Sequence, residues 1–344
     1  MIFSSLRALN VQIFFKFKMK IFYEDDASVE ILSGKTIAVI GFGAQGRAQA
    51  KMLQDAGCTV VVGLRPGGAS FSKAQSDGMK VLPVAEAAQA ADIVHILIPD
   101  EIQGKVYREE IAPHMSAGKV LSFSHGLNIV AGKITPPENV DVIMVAPKAP
   151  GTEVRKVFKQ GFGVPALIAV ERDASGKARD IALAMAKAMR FTKAGVIQCS
   201  FKEEAFEDLF GEQAVLCGGL AELMKKGFEV LTEAGYPPEV AYFECVHEMK
   251  LIVDLVYEKG LAGMWDVVSN TAEFGGRLVG PKVIDDSVKE RMRQALKNVE
   301  SGEFAKTWFA EFENGCPNLE QWRKAEKQHP VEITGEKVRG LFKK

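Results

Sequence analysis

Asp208 with Glu212 and Glu244 with Glu248 form two pairs of carboxylates, each spaced i,i+4 within a segment of helical periodicity. That spacing places both members of a pair on one helical face. Like charges so placed repel by about 0.2–0.5 kcal/mol when solvated, and by more when buried. No lysine or arginine stands between Lys202 and Lys225 to offset the first pair. One such pair is most simply a solvated face. Two pairs with no histidine in the same register suit a hard divalent ion such as Mg²⁺ rather than zinc. His247 falls on another face and reads as packing. Glu203, Glu204 and Glu207 lie in the first turns of their helix, where acids complement its dipole and call for no functional role.

A second constellation suits a nucleotide. The strand Thr36–Ile40 runs into Gly41-Phe42-Gly43-Ala44-Gln45-Gly46, which opens a helix, and a further strand ends at Leu64. In that context the glycines allow a tight turn and close approach of backbone to a pyrophosphate. Without it they are only a glycine turn. An NAD site usually carries an acid at the end of the second strand. Arg65 stands there instead, with Ser70 five residues on. Both suit a 2′-phosphate, so NADP is favoured over the bland reading of Arg65 as a surface charge. His125 and Lys148 follow two later strands, at the carboxyl ends where open sheets bind ligands. Either alone is often just a surface residue. Ser269 suits a substrate carboxylate or, equally, a helix cap.

These groups need elements to position them, and 344 residues suffice for two domains. Apolar runs over 36–40, 58–64, 92–98, 120–123, 140–145, 166–170 and 196–199 alternate with amphipathic stretches, which predicts a parallel sheet covered on both faces. Beyond residue 200 only helical periodicity remains, over 203–234, 238–259, 261–272, 285–301, 304–313 and 319–329, with breaks at Gly235 to Pro238 and at Gly280-Pro281. The expected division is a Rossmann-like domain over 19–199 and an all-α domain over 200–344. Residues 1–18 carry three basic side chains and no acid, and read as an extension before a natural start at Met19. Apolar runs such as Leu251-Ile252-Val253 need cover from a second chain, so at least a dimer is expected. A net charge of −1 gives nucleic acid no electrostatic footprint. Five scattered cysteines without C-x-x-C indicate a reducing compartment, read as the cytoplasm. No apolar run reaches the roughly 20 residues needed to cross a bilayer.

Taken together, the segments GFGAQG, GLRPGGAS, PDEIQ, HGLNI, PKAPG, DLFGEQ, LCGG, E-x-x-x-E and SNTAEFG, in that order from Met19 onward, resemble ketol-acid reductoisomerase in its short form. The resemblance implies cofactor contacts from Gly41, Phe42, Gly43, Ala44, Gln45, Gly46, Arg65, Ser70, Asp100, Glu101, Ile102, Gln103 and Gly151. It makes His125 and Lys148 active-site residues. It also implies that Asp208 bridges two Mg²⁺ ions, that Glu212 binds one, and that Glu244 and Glu248 belong to the other. Those two acids and the substrate-binding Ser269 would then complete the site across a dimer whose helical domains are knotted by pairing, alone or within a higher assembly of dimers. Gly68 replaces a serine that often donates to the 2′-phosphate in the family, which leaves NADH open beside NADPH.

The implied reaction is an alkyl migration in a 2-hydroxy-2-acyl acid, 2-acetolactate or 2-aceto-2-hydroxybutanoate. Reduction by NADPH to the 2,3-dihydroxy acid follows, in valine and isoleucine biosynthesis, with Glu248 or hydroxide on the metal as base. The alternatives are a metal-free NADP-dependent dehydrogenase of the 3-hydroxyacid type, with Lys148 as acid, and a non-catalytic NADP sensor. The dehydrogenase leaves the four acids unexplained, and cofactor oxidation that depends on 2-acetolactate would eliminate the sensor.

Overall fold

The computed structural model describes residues 20–341, so the extension expected over 1–18 lies outside them. The chain divides between Ala205 and Phe206 into two compact units. The first is built on nine strands: β1 (Ile21–Phe22), β2 (Thr36–Ile40), β3 (Thr59–Gly63), β4 (Lys80–Leu82), β5 (Ile93–Ile96), β6 (Val120–Phe123), β7 (Asp141–Pro147), β8 (Ala166–Arg172) and β9 (Val196–Cys199). Their order across the sheet is β1-β9-β8-β7-β6-β5-β2-β3-β4. The strands from β2 to β7 pair in parallel.

The expected sheet is therefore mainly, not wholly, parallel. β7 and β8 run antiparallel, pairing Pro147 with Ala166, so the chain re-enters the sheet at the end it has just left. β1 and β4 carry two and three residues, too few to show a period. Alternate residues of each strand feed two cores. Ile37 and Val39 join Met52 and Leu53 of the helix Ala44–Asp55 on one face, whereas Ala38 and Ile40 join Val84 and Ala87 of the helix Val84–Ala90 on the other. Cover on both faces explains the unbroken apolar runs. β3 and β5 flank β2 on opposite sides, so the strand order reverses there and opens a crevice beyond the turn at Gly41.

The second unit is helical, as expected, but its helices are interrupted differently. The predicted helix over 203–234 passes through a π-turn at Glu212–Leu216, and the one over 238–259 through another at Phe243–His247. Gly280-Pro281 makes no break, since Pro281 lies inside the helix Asn270–Val283. The predicted helix over 261–272 does not form as one piece. Met249–Trp265 kinks at Gly260, whose φ is 73°, and a new helix starts at Asn270. A last helix, Pro330–Leu341, escaped the sequence reading.

Candidate active site

Glu204 gathers the site. Ser200 caps the helix Phe201–Gly211: its Oγ accepts from the Glu203 N–H at 3.1 Å, and the Glu203 carboxylate accepts from the Ser200 N–H at 2.8 Å. This reciprocal cap sets the first turn so that Glu203 stays in solvent and the next residue points inward. Glu204 is 1% exposed. Its Oε2 accepts from the Gly126 N–H at 2.8 Å and lies 3.1 Å from His125 Nδ1, while its Oε1 lies 3.6 Å from Lys148 Nζ. His125 follows β6 and Lys148 follows β7, adjacent parallel strands, so the ladder brings both to one edge of the sheet.

A carboxylate only accepts, so His125 Nδ1 carries a proton. This corrects the reading of Glu204 as an acid that merely complements a dipole. The signal was present in the helical period: Glu204 shares a face with Phe201 and Ala205, both buried. Asp208 lies one turn further along the same helix and is half-buried.

Beside this cluster a cavity of about 580 Å³ opens at the carboxyl ends of the strands, lined by Gly41 to Gln45, Ser70, Asp100, Gln103 and His125 among others. Gly41 adopts φ 110°, and a Cβ there would sit 2.5 Å from the Leu97 carbonyl oxygen, so no other residue makes this turn. The helix Ala44–Asp55 that follows has no side-chain cap among the described residues, and Ala44 and Gln45 of its first turn line this cavity. Burial pushes the Asp100 carboxyl up, against the opposing pull of His125. Gln103 Oε1 is buried with no donor among the described residues, a vacancy that a carboxamide would satisfy.

A second cavity of about 680 Å³ continues past Ser70 to Gly151. Among the described residues five cations line it, Arg47, Lys51, Lys73, Arg155 and Lys159, and no carboxylate does. Asp77 pairs with Arg47 at 2.5 Å, and Asp55 with Arg155 at 2.6 Å, fixing two of them. Sequence reading missed all five, because they come from three separate helices. Arg65 is exposed and, with Gly46, Glu101 and Ile102, lies outside both linings.

Behind the site His95 is fully buried in β5, and burial pushes its ring down to about 4 from 6.5. The unfolded chain then binds the extra proton between those values, so stability rises with pH across that window. The protein is expected to lose about 3 kcal/mol of unfolding free energy between pH 6.5 and 4 from this group alone. Urea unfolding of the wild type against His95→Leu measures it: the variant should lack that part of the slope.

Two family profiles cover the chain. "Acetohydroxy acid isomeroreductase, NADPH-binding domain" matches residues 31–195, and "Ketol-acid reductoisomerase, C-terminal domain" matches residues 201–344. The chain belongs to the ketol-acid reductoisomerase family. A ketol-acid reductoisomerase (NADP(+)) of Akkermansia muciniphila is 60% identical over 95% of this chain and all of that relative. A ketol-acid reductoisomerase (NAD(+)) of an uncultured archaeon is 56% identical over 94% of this chain and 99% of its own length. The solved structure of an NADH-preferring ketol-acid reductoisomerase from an uncultured archaeon superposes with a TM-score of 0.93 at 56% identity, covering 95% of this chain and all of that one. The chain is thus a ketol-acid reductoisomerase, an enzyme of branched-chain amino acid biosynthesis, and its first unit matches the family's NADPH-binding domain.

In this reductoisomerase Glu212, Glu244 and Glu248 are exposed acids of the second unit. Among the described residues these three do not gather into a group with ligand atoms within 4.8 Å of one another. Both π-turns fall on the acids: one begins at Glu212, and the other spans Phe243 to His247, between which Glu244 lies. Such turns recur at functional sites. Ser269 caps its helix, its Oγ accepting from the Ala272 N–H at 3.1 Å.

Proposed function

We propose that this chain isomerises and reduces 2-acetolactate or 2-aceto-2-hydroxybutanoate with NADPH and two Mg²⁺ ions, in the cytoplasm, as a dimer or an assembly of dimers. The observation that carries the site assignment is the junction of His125, Lys148 and Gly126 on the buried Glu204, beside a cavity suited to a dinucleotide. Asp208 and Glu212 offer oxygen donors one turn apart, a set that fits magnesium, with Glu244 and Glu248 of the second chain completing it. When bound, the magnesium ions supply Lewis acidity at the substrate oxygens and the nicotinamide supplies hydride.

The residues do the rest. The carboxylate of Glu204 keeps the Lys148 ammonium and the His125 ring aimed at the substrate position. As the alkyl group leaves C2, the hydroxyl proton there must go to a base, the role we assign to Glu248 of the second chain. Negative charge then moves between the two substrate oxygens, where Lys148 Nζ–H meets it. The oxygen formed on reduction takes its proton from Lys148 or from His125 Nε2. Ser269 holds the substrate carboxylate.

The dimer is supported by apolar side chains of the second unit that one chain leaves in solvent: Tyr257 is 88% and Phe274 71% exposed. NADPH is supported less by Arg65 than by the cationic cavity. Replacing Lys73 and Lys159 together by alanine is expected to raise the KM for NADPH about tenfold or more and leave that for NADH within about twofold. Steady-state kinetics with each cofactor, under saturating Mg²⁺ and 2-acetolactate, test the whole reading. No acetolactate-dependent oxidation of either cofactor would overturn it, and activity that survives EDTA would favour the metal-free dehydrogenase.

A further inference from the structure

The polar groups buried behind the cofactor turn form a single directed chain. β5 and β6 pair His95 with Ser122, so both side chains stand on the sheet face that meets the helix Ala44–Asp55. His95 Nδ1 lies 2.8 Å from Ser122 Oγ and its Nε2 lies 2.9 Å from Gln49 Oε1. Gln49 Nε2 donates to Gln45 Oε1 at 3.1 Å and to Ser124 Oγ at 3.0 Å. Gln45 Nε2 donates to the Ala149 carbonyl at 2.9 Å, and Ser124 Oγ donates to the Val145 carbonyl at 2.8 Å.

Backbone carbonyls only accept, and that sets the direction of every link. Gln45 must turn its NH₂ to Ala149, which presents its oxygen to Gln49. Gln49 then gives both its hydrogens to Gln45 and Ser124, and its oxygen takes one from His95 Nε2. Neutral His95, its proton on Nε2, accepts at Nδ1 from the Ser122 hydroxyl. Reversing Gln49 would break this order, because Gln45 would have to turn its oxygen on the Ala149 oxygen. Burial of His95 favours the same neutral state.

The chain ends on three pieces of the active site. Gln45 lies in the cofactor turn, Ser124 precedes His125, and Ala149 follows Lys148. The turn and the lysine loop also touch through backbone, since a Cβ on Gly151 would sit 2.4 Å from Ala44 backbone atoms. We propose that Ser122, His95 and Gln49 are positioning residues: through Gln45 and Ser124 they hold the cofactor turn, the His125 strand end and the Lys148 loop in one arrangement, so that hydride transfer depends on a histidine that touches neither cofactor nor substrate. The proposal rests on the reading above that the Gly41–Gly46 turn binds the dinucleotide.

A double-mutant cycle on the full-length enzyme tests it, with Gln49→Met, Gln45→Leu and the pair. NADPH affinity and the single-turnover reduction of the isomerised 3-hydroxy-2-oxo acid are the readings. Gln49→Met, which keeps volume and removes the links, is expected to weaken NADPH binding and slow reduction by about tenfold each, with thermal unfolding measured alongside. Because Gln49 acts partly through Gln45 and partly through Ser124, the two losses are expected to be sub-additive, the double variant falling well short of their product. Additive effects would overturn the proposal. Should Gln49→Met not fold, Ser122→Ala removes only the last link: about a threefold slower reduction at unchanged KM for the organic substrate supports the chain, and wild-type kinetics overturn it. A wild-type protein that binds neither NADPH nor NADH would instead remove the underlying reading.

Discussion

Replacing Glu204 by glutamine is expected to lower kcat by about 10²–10³-fold, some 3–4 kcal/mol of transition-state stabilisation, with NADPH affinity unchanged. The amide keeps the shape and loses the charge. One oxygen can still accept from Gly126 and His125, but the NH₂ then faces the Lys148 ammonium, donor against donor, where Oε1 stood at 3.6 Å. Lys148 loses the group that aims it, and His125 Nδ1 keeps only a neutral acceptor. The fold should survive, because a neutral side chain in place of a buried ion costs little desolvation. Stopped-flow turnover with calorimetry of cofactor binding separates the parts. Wild-type turnover in the variant would remove Glu204 from the mechanism, and an equal loss of NADPH affinity would make it a structural residue.

How much of this was legible follows from what each signal measures. Strands β2, β3 and β5 to β9 were readable because burial on both faces writes an unbroken apolar run, and the cofactor turn because only glycine satisfies the φ at Gly41. The antiparallel return of β8 was not, since pairing direction depends on where the connection ends and not on the residues of the strand. Glu204 was hidden among three acids of one helical start, distinguishable only by the face it shares with Phe201. The cationic cavity was hidden for the opposite reason, as its residues are far apart in sequence and ordinary one by one. Family resemblance supplied the roles of Asp208 and Glu244. Spacing pointed to a hard divalent ion without saying which acid binds which ion, and a π-turn, which needs i→i+5 bonding such as Cys217 N–H to Glu212 O at 3.1 Å, has no period a sequence pattern reveals.

Asp208→Asn and Glu244→Gln are each expected to abolish isomerisation, by about 10³-fold or more, as EDTA does to the wild type and added Mg²⁺ reverses. Co-expressed, the two dead chains should recover activity. If the site joins Asp208 and Glu212 of one chain to Glu244 and Glu248 of the other, a mixed dimer holds one doubly damaged site and one wholly native site. Random pairing makes half the dimers mixed, so roughly a quarter of the wild-type sites return. Were all four acids to serve within one chain, every site would carry a lesion and the mixture would stay silent. Differently tagged chains, purified through both tags, raise the expected recovery to about half of wild type, since every dimer is then mixed. Magnesium titration of that purified mixture should give the wild-type midpoint, because the surviving site has all its ligands. The result also bears on the exposed apolar helices. A site that exists only between chains requires the surface around Tyr257 and Phe274 to be covered whenever the enzyme works, and Tyr257→Glu should then lower activity with protein concentration rather than at all concentrations alike.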